Sequence, residues 1–110
     1  MTGQWREHQP ETLPRFLYVL RSRRTGSVKF GISNNWRRRL DEHRASRGDA
    51  SIELVESYED NDWLAVKAAE RTILRRLRSV RAKPTHGLEW FPEDHPEVLS
   101  IMRDLEGCAA

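Results

Sequence analysis

Phe16-Leu17-Tyr18-Val19-Leu20, then Arg23-Arg24-Thr25-Gly26, then Val28-Lys29-Phe30-Gly31-Ile32: this is the stretch whose reading decides the fold. Two β-branched and aromatic runs are separated by a polar segment ending in glycine, the pattern of two strands joined by a turn. The stretch predicts a β-hairpin. Lys29 is out of place in an apolar strand, and Gly31 inside the second run marks a close backbone approach or a bulge.

Working outward, Ser33, Asn34 and Asn35 offer N-caps for a helix that starts near Trp36. Leu40 and His43 follow at helical spacing to about Arg47, and Gly48-Asp49 ends the helix. A third strand is expected over Ile52-Glu53-Leu54-Val55-Glu56-Ser57-Tyr58, with apolar positions at 52, 54 and partly at 55 and 58. The acidic run Glu59-Asp60-Asn61-Asp62 suits the positive end of the next helix dipole. That helix, about Trp63 to Ser79, carries the strongest pattern, with Trp63, Val66, Ile73, Leu74 and Leu77 in one stripe. Residues 80 to 88 read as a loop, Leu88 to Phe91 as a short strand or extended pin, and Pro96 to about Leu105 as a last helix that turns Val98, Leu99, Met102 and Leu105 to the core. The order β-β-α-β-α-(β)-α predicts an α+β fold with a small mixed or antiparallel three-stranded sheet flanked by helices.

The 110 residues suit one domain, expected over 15–106, with a flexible polar lead-in at 1–14 and a tail at 107–110. Cys108 stands alone, so neither an intrachain disulfide nor a thiolate metal cluster is available. No apolar run approaches the roughly 20 residues that span a bilayer, so no membrane partner and a cytoplasmic setting are expected. The net charge is only +2, yet most of the cations are arginines gathered at 21–24, 37–47 and 71–81. Arginine's planar fork matches phosphate, which favours a polyanionic partner.

Three groups of residues carry chemistry. Glu70 occupies an apolar slot of the second helix, between Val66 and Ile73. Burying an unpaired carboxylate costs several kcal/mol, so it needs a metal ion or a strong cation, and an inward arginine or a position at the stripe's edge is the plainer reading. Arg39 and His43 lie one turn apart on the first helix, able to hold a phosphate oxygen and to move a proton, or simply to form a solvated face. Tyr18 and Lys29 can share a sheet face, where a cation would favour the phenolate and make it a base; ordinary sheet packing is the alternative.

Taken in order, Phe16-Leu17-Tyr18, Lys29-Phe30-Gly31, Arg39 with His43, and Glu70 resemble the GIY-YIG nuclease family over residues 15 to 91. Glu89-Trp90-Phe91 resembles the ending of its phage-associated subgroup. The resemblance implies a metal-dependent endonuclease acting on DNA, with RNA left open. In it, Tyr18 is the general base aided by Lys29, Arg39 steadies the phosphate, and His43 orients it or relays a proton. Glu70 is the ligand for Mg²⁺ or Mn²⁺. Phe16, Leu17 and Lys29 depart from the family's motif letters, although restriction-type members also carry lysine at the last of these. The family's late asparagine has no counterpart, His86 and Glu89 being the stand-ins.

Arg37, Arg38, Arg44, Arg47 and His86 are the expected nucleic-acid contacts, whereas Gly31, Trp36, Glu89, Trp90 and Phe91 are expected to be structural. A single small domain would need its loops, a homodimer or a partner protein for targeting. The competing readings are a nucleic-acid-binding module that keeps the fold without turnover, and a regulatory protein-interaction domain.

Overall fold

The computed structural model describes residues 13–80, 82–84 and 89–109. The hairpin forms as the sequence predicts, from β1 (Phe16–Ser22) and β2 (Ser27–Ser33), with Tyr18 opposite Gly31 and Leu20 opposite Lys29. They are followed by α1 (Trp36–Arg47), β3 (Ile52–Glu59), α2 (Trp63–Ser79), β4 (Trp90–Pro92) and α3 (Pro96–Ala109). The sheet is antiparallel throughout and has the order β3-β1-β2-β4, so the short pin becomes a fourth strand pairing with Ser27 to Lys29. No helix among the described residues is long and apolar enough to cross a membrane.

The helix ends follow from local chemistry. The Asn35 side chain accepts from the Arg38 N–H at the start of α1, and Gly48 closes it in the left-handed conformation at φ 59°. Asp62 caps α2 by accepting from the Leu64 N–H.

Strand alternation sends Leu17, Val19, Val28, Phe30 and Phe91 to one face, where Ile73 and Leu77 of α2 and Val98 and Ile101 of α3 complete the main core. Tyr18, Leu20, Ile52 and Trp90 lie on the other face beneath Leu40 of α1, with Trp36 packed against them. The register between β1 and β3 shifts between Val19 and Leu20, where Val55 has no partner. This bulge explains the uneven apolar spacing of β3. Before it, Leu54 faces α1; beyond it, Tyr58 is opposite Leu17 and joins the main core.

Two expectations for the last helix need correction. Leu99 is 42% exposed, while Ile101 is buried, because the contact face runs through 98, 101, 102 and 105. The helix also continues to Ala109 and takes in residues assigned to a tail. Arg76 sets its rotation by donating to Glu97 at 2.8 Å, Asp104 at 2.7 Å and Ser100 at 3.1 Å. The lead-in over 1–12, His86 and the Cys108 side chain lie outside the described residues.

Asp49 pins the hairpin turn to the α1–β3 loop. Its buried carboxylate accepts from Ser22 Oγ at 2.5 Å and from the Ser51 hydroxyl and N–H at 2.6 and 2.9 Å. The Ser22 and Ser51 hydrogen bonds hold its pKa down, from 3.8 to about 2. A folded pKa below the unfolded one means that the stabilisation is present above 3.8 and is lost as the pH falls through about 2. Asp49→Asn should therefore lower the urea midpoint at pH 7, and its deficit relative to the unsubstituted protein should shrink when both are measured near pH 2.

Candidate active site

The site is built where α1 crosses the second sheet face. Tyr18 is 1% exposed, and its ring lies across Gly31, its cross-strand partner. A Cβ on Gly31 would stand 2.4 Å from both the ring Cζ and the phenol oxygen. Glycine is therefore required here by the tyrosine, which gives the oddity of a glycine inside a strand its physical reason.

A buried phenol oxygen needs a hydrogen-bond partner. Arg39, on the α1 turn that also buries Leu40, donates to it from the guanidinium. The same guanidinium donates to Glu42 at 2.7 Å, which holds it in place. Burial pushes the Tyr18 pKa upward from 10.0, and the hydrogen bond and charge of Arg39 offset only part of this. The expectation that Lys29 supports the phenolate needs correction: the cation on Tyr18 is Arg39. Lys29, itself only 3% exposed, donates instead to the Glu89 carboxylate. A buried ammonium without a counter-charge would be costly, and Glu89 supplies one. The Lys29 hydrogen bond in turn holds the Glu89 pKa below its usual value.

His43 follows Arg39 by one helical turn. Its ring meets Trp90 edge-on with centroids 5.9 Å apart, and its Nε2 is buried with no hydrogen-bond partner among the described residues. Burial, together with the charges of Lys29 and Arg39, lowers its pKa from 6.5 to about 4. The imidazole is therefore neutral at pH 7, with a free nitrogen toward the group.

Glu70 comes from the opposite side. Its helix α2 packs on the main core through Val66, Ile73 and Leu77. β4 pairs with β2 along Ser27 to Lys29, and among the described residues no strand lies beside the outer edge of β2 beyond that point. Here the Glu70 carboxylate enters the electrostatic field of Lys29, Glu89 and Tyr18. It is half-buried, and burial raises its pKa above 4.5, an effect that Lys29 and Lys67 partly oppose and Glu89 reinforces. It makes no hydrogen bond or ion pair among the described residues.

Tyr18, Lys29, Arg39, His43 and Glu70 thus form one group, and Glu89, expected to be structural, joins it through Lys29. Trp90 and Phe91 are core residues, and Trp36 packs partly buried against the cluster that holds Trp90. The arginines of α1 divide. Arg44 donates to the Ile52 carbonyl at 2.8 Å and Arg47 lies 4.5 Å over the Trp90 ring, so both support packing. Arg37 and Arg38 remain exposed, Arg37 over Trp36 at 5.1 Å. Glu89 was legible in part, since Lys29 had to find a counter-charge; the sequence carried no signal of which one.

The T5orf172 domain family matches residues 15–106 of the chain. No curated protein and no solved structure matches it.

Gly31→Ala should displace Tyr18, with overpacking costing about 1–3 kcal/mol. Equilibrium denaturation reads the cost, and a shifted Tyr18 ring resonance reads the displacement. An unshifted ring with full stability would contradict the close contact described above.

Proposed function

The chain belongs to the T5orf172 domain family, a phage-associated family with nuclease-like members, and from that premise we propose that it is a GIY-YIG-type endonuclease that hydrolyses phosphodiester bonds in DNA with one divalent ion. The observation that carries the proposal is Glu70: a half-buried carboxylate with no hydrogen-bonded or ion-paired partner among the described residues, in the field of a phenol and of the buried Lys29.

Those residues fit a hard cation. Lys29 is committed to Glu89, so the Glu70 charge is left to be met by something else. Among the described residues no three His, Cys, Asp or Glu side chains cluster as a full ligand set. Glu70 would therefore hold Mg²⁺ or Mn²⁺ with water and phosphate oxygens in the remaining positions, as Mg²⁺ sites commonly do. The bound ion would supply positive charge to the departing 3′ oxygen.

The protein's own groups do the rest. Arg39, already fixed by Tyr18 and Glu42, turns guanidinium donors toward a non-bridging phosphate oxygen and stabilises the charge that develops there. Tyr18 in its ionised form takes a proton from the attacking water as the new P–O bond forms and the P–O3′ bond breaks. Neutral His43 offers Nε2 to the phosphate or to a proton in transit. Lys29 and Glu89 neutralise each other beside the phenol.

One observation favours a second reading, a nucleic-acid-binding module without turnover: burial holds the Tyr18 phenol protonated, and Lys29 is spent on Glu89.

A plasmid-nicking assay separates the two. With Mg²⁺ or Mn²⁺ the unsubstituted protein should cut, and Glu70→Gln and Arg39→Ala should each slow cutting by about 100-fold or more. Because the Tyr18 pKa lies above 10.0, the ionised fraction and the rate should rise close to tenfold per unit from pH 7 to 9, with no inflection from His43. Relief of its buried charge should also make Glu70→Gln more resistant to urea at pH 7 than the unsubstituted protein. Binding without metal-dependent cutting at any of these pH values would establish the module instead.

A further inference from the structure

The surface beside Glu70 continues into a depression that the hydrolytic site does not use. Trp63, Lys67 and Glu70 stand at i, i+4 and i+7 on α2 and so share one face of the helix. At the far end of this row opens a cavity of about 420 Å³. Pro14, Ile32 and Trp63 give it apolar wall, while Asn34, Arg38 and Lys67 supply polar groups, and no acidic residue among the described ones lines it. The Lys67 ammonium lies over the Trp63 ring, 5.4 Å from its centroid, with no carboxylate at ion-pair distance among the described residues. Arg38 is 58% exposed at the side chain, and its contacts with Asn34 at 3.4 Å and Glu42 at 3.9 Å are long. Both charges are thus available.

The cavity adjoins the site on both sides. Lys67 acts on the Glu70 carboxylate, and Arg38 is the chain neighbour of Arg39. An aromatic wall with two cations is the chemistry that holds a nucleobase and its phosphates. The volume is in the range of small-ligand sites, about 300–1,000 Å³, and far below what a duplex occupies. A base inside a duplex shows only its edges to a protein, so a ring face can reach an indole wall only after leaving the stack.

We propose that this cavity receives one unpaired nucleotide adjoining the phosphate at the Tyr18–Glu70 site, its base against Trp63, Pro14 and Ile32 and its phosphates on Arg38 and Lys67. The protein therefore prefers single-stranded or locally opened nucleic acid over intact duplex. The word "adjoining" rests on the hydrolytic reading; the binding itself does not.

Fluorescence anisotropy with a short labelled single strand and a hairpin duplex of the same sequence, in EDTA, tests this. The single strand should bind the unsubstituted protein more tightly than the duplex. Trp63→Leu should weaken single-strand binding by about tenfold, while Trp63→Phe, which keeps a ring, retains it. Lys67→Ala, which removes an exposed charge, should reduce the slope of log affinity against log salt by about 0.7. Equal affinity for strand and duplex, or unchanged binding in both Trp63→Leu and Lys67→Ala, would overturn the proposal. Loss of binding in these variants alongside a lack of cutting by the unsubstituted protein would remove the hydrolytic reading and leave the nucleotide cavity standing.

Discussion

One contact organises the group of polar side chains: the Tyr18 ring laid flat across a residue that has no side chain. With Cβ space reduced to 2.4 Å, the phenol has a single place to be, pressed on β2 and closed over by α1. Its oxygen is thereby carried into a dry setting, where an unmet hydrogen bond would be expensive. Arg39 meets it, and in doing so settles the rotation of α1 about its axis, since Leu40 must point into the same cluster. Once that rotation is set, His43 one turn later has no choice but to face Trp90 and the buried lysine. A packing constraint between two strands thus becomes a chemical arrangement across three elements.

Charge compensation in the group is deliberately incomplete. Lys29 and Glu89 cancel, and Arg39 is shared between Tyr18 and Glu42. Glu70 is the remainder. A domain of this size has a stability of only about 5–15 kcal/mol, so a carboxylate raised in pKa by burial is a conspicuous expense. An arginine in reach would have relieved it, and the chain has many, yet Arg76 on the same helix is turned away to Glu97 and Asp104. Among the described residues the Glu70 carboxylate has no hydrogen-bonded or ion-paired partner, which leaves room for the ion of the proposed function.

The elements most legible in the sequence were those governed by short-range rules. Helix α2 spans the residues its apolar stripe delimits, and α1 ends at the glycine that the left-handed cap requires. The grouping of Tyr18, Arg39, His43 and Glu70 was read through the family resemblance, because each alone admitted an ordinary packing or solvent-facing reading; only Glu70 in its apolar slot and the helical spacing of Arg39 and His43 left a local mark. What escaped was long-range pairing. Whether Lys29 serves Tyr18 or Glu89 depends on a partner sixty positions away, just before a strand of three residues that is too short to carry a periodic signal. The bulge at Val55 is likewise invisible as such, showing only as an uneven spacing of apolar residues until the register with β1 is known. Leu99 was misplaced for a simpler reason: in a helix with apolar residues at 98, 99, 101, 102 and 105, the spacing permits more than one face, and the salt bridges of Arg76 choose.

An exposed strand edge invites pairing with another chain, and proteins normally cover or blunt such edges. Here β4 covers the outer edge of β2 along Ser27 to Lys29. Further along the same strand, Ile32 and Ser33 line the cavity shared with Trp63 and Lys67. Glu70, on the helix that packs one face of the sheet, and Tyr18, buried on the other, nevertheless act on each other electrostatically. A sheet is a single layer thin enough for charges on its two faces to interact, and that is how side chains from β1, β2 and α2 come to share one field.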